Sequence, residues 1–210
     1  MKKTGLTLED FFDLNSSVIY NPDELKTIRN VSIDSRNISN NCLFVAIKGE
    51  RFDGHDFLNE AVENGAAAIL VENRKLKSLK DFEIPIITVN DTIKALGELA
   101  GRWRKKLTNG NTKIIGITGS AGKTSTKEMI AMLLSTKYKV NRTIANYNNH
   151  IGVPLTLFST NESHDILVAE LGTNHFGEIK YTADIAQPDY ALITNVGNSH
   201  LEFLKNKKGR

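Results

Sequence analysis

The sequence predicts an α/β protein of two units, a small N-terminal unit followed by one built on a parallel sheet. Three observations predict it. Over residues 113–196, short apolar runs rich in β-branched residues alternate with segments of helical length, and strands alternating with helices form a parallel sheet covered on both faces. A polar joint, Thr108-Asn109-Gly110-Asn111, precedes that alternation and divides the chain into 1–108 and 109–210. Within residues 114–125, Gly116, Gly119 and Gly122 are followed by Lys123-Thr124, the layout of a phosphate-binding loop between a strand and a helix.

The elements follow in order. Thr7, with Asp10 three residues on, resembles a capping box for a short helix ending near Leu14. Residues 31–34 and 43–47 read as strands, 56–64 as a helix with Gly65 just past its end, and 66–71 and 84–89 as strands. Asp91 is placed to cap a helix over 92–107. In the second unit, strand 113–118 enters the Gly-rich loop and helix 123–134 leaves it. Strand 139–143, an Asn-rich loop, helix 153–158, strand 166–171, helix 177–186 and strand 190–196 complete the alternation.

Composition narrows the class. The chain has 210 residues, 40% of them apolar and 24% charged, ordinary values for a soluble globular protein of one large or two modest domains. Cys42 is the sole cysteine, so no internal disulfide can form, which fits a reducing cytoplasm. The residues after Met1-Lys2-Lys3-Thr4 are too polar for a signal-peptide core, and no apolar run is longer than that of 66–71, which is too short to cross a bilayer. Net charge is +3, with Lys205, Lys207, Lys208 and Arg210 crowded at the end. That cluster reads as a solvated end, and neither a zinc-spaced Cys/His set nor a basic patch interleaved with aromatics points to nucleic acid.

In open parallel sheets, ligands bind beyond the carboxyl ends of the strands. Three polar clusters fall there: residues 119–124, Glu170-Leu171-Gly172-Thr173-Asn174-His175, and Asn195-Val196-Gly197-Asn198-Ser199-His200. In the first, glycines let the backbone turn its N–H groups toward an anion, and the following helix adds its positive end. Thr118, Gly119, Ser120, Ala121, Gly122, Lys123, Thr124 and Ser125 would cradle ATP, with Lys123 on the terminal phosphates and the Thr124 hydroxyl on Mg²⁺. The general pattern places a glycine where Ile117 stands, a departure from it. Glu170 is either an Mg²⁺ ligand, since hard cations take oxygen donors, or a helix cap or lysine partner. His200 is either a site residue or an ordinary polar one. Asn146, Asn148 and Asn149 are turn formers or site residues, and Asn174 and His175 are open in the same way. His55 reads as a helix-entry residue, and Trp103 as packing in the helix before the joint.

These motifs closely resemble the Mur ligases. The resemblance rests on residues 116–124, on Asn146-Tyr147-Asn148-Asn149-His150-Ile151-Gly152-Val153-Pro154, on Glu170-Leu171-Gly172-Thr173-Asn174-His175-Phe176-Gly177-Glu178-Ile179, and on 195–201. Asp34-Ser35-Arg36 and residues 43–57 look like that family's domain for the substrate nucleotide. Within the family, the wording around Asn148-Asn149 and Asn174-His175 is most similar to the branch adding D-alanyl-D-alanine to UDP-N-acetylmuramoyl-tripeptide. The resemblance implies an ATP- and Mg²⁺-dependent amide ligase of peptidoglycan synthesis, cytoplasmic and monomeric at full length, working through an acyl phosphate. It implies Lys123, Glu170 and His200 as catalytic residues, and Thr124, Glu170 and His200 as metal ligands. Ser35, Arg36, Lys48, Asn146, Asn149, Asn174 and His175 would bind substrate, although Arg36 could instead pair with Asp34 or Asp53. Family members have three domains and about twice this length, so the chain is expected to end inside the central domain, before the adenine contacts and the carbamylated lysine, and to be inactive alone. Another Mur-type ligase, folylpolyglutamate synthase, or a non-catalytic module binding nucleotide or UDP-sugar are the alternatives.

Overall fold

The computed structural model describes residues 5–78, 82–109, 111–173 and 175–197. The chain forms two compact units, one running to Arg102 and the other starting at Trp103. The division lies inside a helix, ahead of the polar joint at 108–111.

In the first unit, Thr7 and Asp10 do form a capping box on α1 (Leu8–Phe12), the Thr7 amide donating to Asp10 Oδ2 at 2.7 Å. A five-stranded sheet follows: β1 (Val18–Tyr20), β2 (Asn30–Ser32), β3 (Cys42–Val45), β4 (Ala68–Glu72) and β5 (Ile86–Val89). Its order is β1-β5-β4-β3-β2, parallel except for β1, which pairs antiparallel with β5. Strand β1 was not expected. Its three residues are flanked by polar ones and half-exposed, so pairing with β5, not local pattern, makes it a strand. The expected helix at 56–64 is a 3₁₀ turn, Gly54–Phe57, running into α2 (Leu58–Glu63). Strand side chains alternate in direction. Phe44, Ala46, Ile69 and Val71 pack with Leu58 and Ala61 of α2, while Leu43, Val45, Leu70 and Ile87 are buried on the opposite side. Asp91 caps α3 (Thr92–Asn109), its Oδ1 accepting from the Ile93 and Lys94 amides at 3.0 Å each.

The second unit holds β6 (Lys113–Thr118), α4 (Lys123–Ser135), β7 (Val140–Arg142), α5 (Gly152–Phe158), β8 (Ile166–Glu170), α6 (Glu178–Ala186) and β9 (Tyr190–Ile193). Its sheet is wholly parallel, in the order β7-β8-β6-β9. The chain therefore moves one way from β6 to β7 and the other way from β7 through β8 to β9. With right-handed crossovers, α4 and the pair α5 and α6 lie on opposite faces. The carboxyl ends of β6 and β8 flank the point where direction reverses, where such sheets open a crevice for ligands. Ala131, Ile130 and Leu134 of α4 pack on Ile115, Ile117, Ile166 and Val168. Covering on both faces holds for β6 and β8 but not for β9. All four β9 residues are exposed, Tyr190 by 64% and Ile193 by 63%, because no helix among the described residues lies over this outer strand.

The end of α3 belongs to the second unit. The Trp103 indole donates to the Thr160 carbonyl at 2.8 Å and meets Phe158 edge-on at 5.5 Å. Buried Arg104 donates to the carbonyls of Ala186 and Gln187 at 2.8 and 2.7 Å, satisfying the C-terminal end of α6, and to Asp189 Oδ2 at 2.9 Å. Asp189 also accepts from the Ile114 amide at 2.8 Å. Burial alone would raise its pKa, yet the Ile114 amide, Arg104 and Lys113 outweigh that and hold it below the usual carboxylate value.

Candidate functional site

The loop between β6 and α4 has the conformation its glycines predict. Gly119 has φ +135°, and a Cβ there would stand 2.1 Å from Thr194 Oγ1. Gly122, at φ +80°, precedes the first residue of α4. Only glycine takes these backbone angles without strain. The loop is laced to the segment after β9. The Ser120 amide donates to the Asn195 carbonyl and the Ala121 amide to Asn195 Oδ1, both at 3.1 Å. Thr194 Oγ1 donates to the Ala121 carbonyl at 2.6 Å, and the Gly197 amide to Ser120 Oγ at 2.6 Å. So two of the amides expected to face an anion bond to Asn195 instead. Lys123 Nζ lies back over the loop, donating to the Gly119 carbonyl at 2.8 Å.

The second cluster converges on the first. Glu170, at the end of β8 and 2% exposed, accepts from Thr124 Oγ1 at 2.9 Å through Oε2 and from Asn148 Nδ2 at 2.9 Å through Oε1. Its own amide donates to Thr143 Oγ1 at 2.9 Å. Asn148 is fixed in turn, because its carbonyl accepts from the Gly172 amide at 2.7 Å and a Cβ on Gly172 would come within 2.7 Å of Asn148 Cγ. A hydroxyl and a carboxylate at the switch point of a parallel sheet, at the mouth of a Gly-rich loop, offer hard oxygen donors beside a phosphate cradle. The buried Thr118 hydroxyl, at the start of that loop, has no hydrogen-bond partner among the described residues. Beside it opens a cavity of about 430 Å³ lined by Thr118, Gly119, Thr173, His175, Phe176 and Asn195, among others.

Residues 27–104 match the sequence model of the Mur ligase family, catalytic domain, and residues 117–209 that of the Mur ligase middle domain. The chain belongs to the Mur ligase family. It is 40% identical over 204 residues to the UDP-N-acetylmuramoyl-tripeptide–D-alanyl-D-alanine ligase of Bacillus subtilis, covering 97% of this chain and 44% of that protein. A crystal structure of MurF from Acinetobacter baumannii superposes with a TM-score of 0.84 at 36% identity, over 98% of this chain and 44% of that one. MurF ligase from Thermotoga maritima in complex with ADP superposes with a TM-score of 0.75 at 38% identity, over 89% and 41%. The chain thus spans less than half the length of these relatives.

The remaining expected site residues of this Mur ligase chain fall into three groups. His200 and Asn174 lie outside the described residues. In the second unit, Asn149 acts as a cap: its Oδ1 accepts from the amides of Ile151 and Gly152 at 3.1 and 2.8 Å, at the start of α5. Asn146 is exposed in the same loop. Exposed His175 lines the cavity, its amide donating to Glu178 Oε2 at 3.0 Å and its Nδ1 3.2 Å from Oε1. In the first unit, Ser35 is buried and its hydroxyl donates to Glu60 at 2.6 Å. Arg36 forms a two-pronged pair with Asp34, both contacts at 2.9 Å, yet its side chain remains 76% exposed. That guanidinium holds Asp34 down to a pKa of about 2. Exposed Lys48 starts a small loop closed by its backbone bridge to Asp53. Asp53 accepts from His55 Nδ1 at 2.5 Å and pairs with Lys75 at 3.1 Å, and His55 Nε2 accepts from the Glu72 amide at 3.0 Å. His55 is therefore a buried strut under that loop.

Lys127 and Thr143 were not expected at the site, and Asn148 was open between turn former and site residue. Lys127 falls three residues after Thr124, on the same helix face, a spacing that could have marked it. Nothing local marks Thr143 or distinguishes Asn148 from its neighbouring asparagines.

No helix among the described residues is long and apolar enough to cross a membrane.

Proposed function

We propose that this Mur ligase chain carries the phosphate-handling site of an ATP-dependent ligase that joins D-alanyl-D-alanine to UDP-N-acetylmuramoyl-tripeptide in cytoplasmic peptidoglycan synthesis. The observation that carries the reading is the Thr124–Glu170 contact at the mouth of the Gly-rich loop. The named D-alanyl-D-alanine-adding relatives, at 36–40% identity, support the choice of branch.

In the reaction, a carboxylate oxygen of the tripeptide attacks the γ-phosphorus of ATP and ADP departs, leaving an acyl phosphate. The amine of D-alanyl-D-alanine then attacks the acyl carbon. Inorganic phosphate leaves, the nitrogen loses a proton, and the amide remains. Little covalent work falls to the protein, so positioning and charge neutralisation dominate. Lys123 would swing from the Gly119 carbonyl to the terminal phosphates, and the loop amides that Asn195 does not take, together with the N-terminal end of α4, would hold their oxygens. The donor set fits Mg²⁺, which is commonly held by one or two carboxylates plus phosphate oxygens; Thr124 and Glu170 would hold it. Bound there, Mg²⁺ neutralises charge on the phosphates. The cavity beside Thr118 would take the acyl group, with His175 at its rim. Arg36 and Ser35 would contact the uridine nucleotide, and His200, Asn174, Asn146, Asn149 and Lys48 would complete the substrate and metal contacts.

Calorimetry of the 210-residue chain with ADP, with and without Mg²⁺, tests the reading. Binding strengthened by Mg²⁺ supports it, and an absence of nucleotide binding at millimolar ADP overturns it.

A further inference from the structure

Lys127 is the most deeply buried cation of the second unit's described residues, 1% exposed on α4. Burying an ammonium is costly unless it is paired and hydrogen-bonded. Here Nζ donates to the Thr143 carbonyl at 2.7 Å, approaches Glu128 Oε1 at 3.0 Å, and stands 3.9 Å from Glu170 Oε2. The Thr143 contact is the telling one. Thr143 follows β7, and its hydroxyl accepts from the Glu170 amide at 2.9 Å. Lys127 thus grips, through one residue, the backbone at which β8 ends and the Glu170 carboxylate leaves the sheet. Thr124 lies one turn earlier on the same helix and holds the same carboxylate oxygen that Lys127 faces. Apolar packing of α4 on β8 sets the spacing of the two elements. The Lys127–Thr143–Glu170 chain adds a polar tie at the level of Thr124, where the carboxylate leaves the sheet.

We propose that Lys127 is a positioning residue: acting through Thr143, it fixes the Glu170 carboxylate against Thr124, so that the two oxygens form a ready-made site for a divalent cation beside the nucleotide phosphates. The proposal rests on the reading that Thr124 and Glu170 hold Mg²⁺. Groups that orient metal ligands from behind act on metal affinity, typically by about tenfold or more, without touching the metal.

The test uses the 210-residue chain and measures ADP affinity by calorimetry with and without Mg²⁺. In the parent, Mg²⁺ strengthens ADP binding. In Lys127→Met, which keeps the buried stem but removes the donor, metal-free ADP affinity stays within about twofold while the Mg²⁺ enhancement falls by about tenfold. Thr143→Val, which cuts the hydroxyl link alone, produces the same loss, and carries the test if Lys127→Met fails to fold. Glu128→Gln, which removes the other partner of Lys127 on the exposed side of the helix, leaves the enhancement intact. A full Mg²⁺ enhancement in Lys127→Met, or in Thr143→Val, overturns the positioning role while leaving the nucleotide site standing. A parent that binds ADP with no Mg²⁺ enhancement overturns the metal reading and, with it, this inference.

Discussion

Thr124 and Glu170 stand 46 residues apart in the chain, yet the hydroxyl of one donates to the carboxylate of the other at 2.9 Å. Two parallel strands that are neighbours in the sheet bring them together, β6 through the loop it feeds and β8 at its last residue. The reversal of chain direction between those strands leaves a crevice for the pair to face.

Lys123→Ala is expected to weaken ADP binding by about tenfold or more, since a charged donor to phosphate contributes more than a neutral one. The change removes a contact to the Gly119 carbonyl but no buried packing, so the melting temperature should stay near that of the parent. Isothermal calorimetry alongside a thermal melt checks both halves; unchanged ADP affinity would remove Lys123 from the phosphate site.

Gly119→Ala should destabilise the second unit by about 2–3 kcal/mol, from strain at a positive φ and a clash with little room to relax. The added Cβ would meet Thr194 Oγ1 at 2.1 Å and the Asn195 amide at 3.0 Å. Denaturant unfolding followed by circular dichroism reads the cost. A mutant as stable as the parent would show that the lacing of the loop to Thr194 and Asn195 is not formed in solution.

Arg104→Met should cost about 3 kcal/mol, because it strips the partner from a buried pair and leaves the carbonyls of Ala186 and Gln187, at the end of α6, unmet. The pH dependence follows from Asp189, whose pKa is lowered in the fold. A depressed carboxylate contributes stability that is fully present above its unfolded pKa of about 4 and is lost as pH falls through the lower folded value. Melts from pH 7 to pH 2 should therefore show a steeper acid loss in the parent than in Asp189→Asn. Parallel curves would rule out this source of acid sensitivity.

Asp34, with a pKa of about 2 beside Arg36, should keep its charge well into acid. Lysine cannot reproduce the two-pronged contact, so Arg36→Lys is expected to move the Asp34 titration upward, toward the ordinary carboxylate value. Carboxyl-detected NMR gives the midpoint directly. In the same samples, UDP-N-acetylmuramoyl-tripeptide should shift resonances of Ser35, Arg36 and the loop from Lys48 to Asp53. A titration that leaves those signals in place would take the uridine nucleotide away from this loop.

The Gly-rich loop, the alternation of the second unit and the caps at Thr7 and Asp91 were legible in the sequence, because each depends on residues within a few positions of one another. Glycine angles, capping hydrogen bonds and apolar periodicity are local properties, and a chain carries them wherever it folds. Tertiary structure alone decided the rest. Strand β1 exists by pairing with β5, more than sixty residues on. The boundary at Arg102 and Trp103 arises because Trp103 and Arg104 find Thr160 and the end of α6, contacts that an unbroken helical pattern does not announce. Asn149 stays exposed and accepts from the amides that open α5, while its neighbour Asn148 took the carboxylate, a choice set by the approach of the β8 end. Lys127 gained its place the same way: on an isolated helix it is one more lysine, and only the arrival of Thr143 and Glu170 from two neighbouring strands gives a buried ammonium its partners and a role.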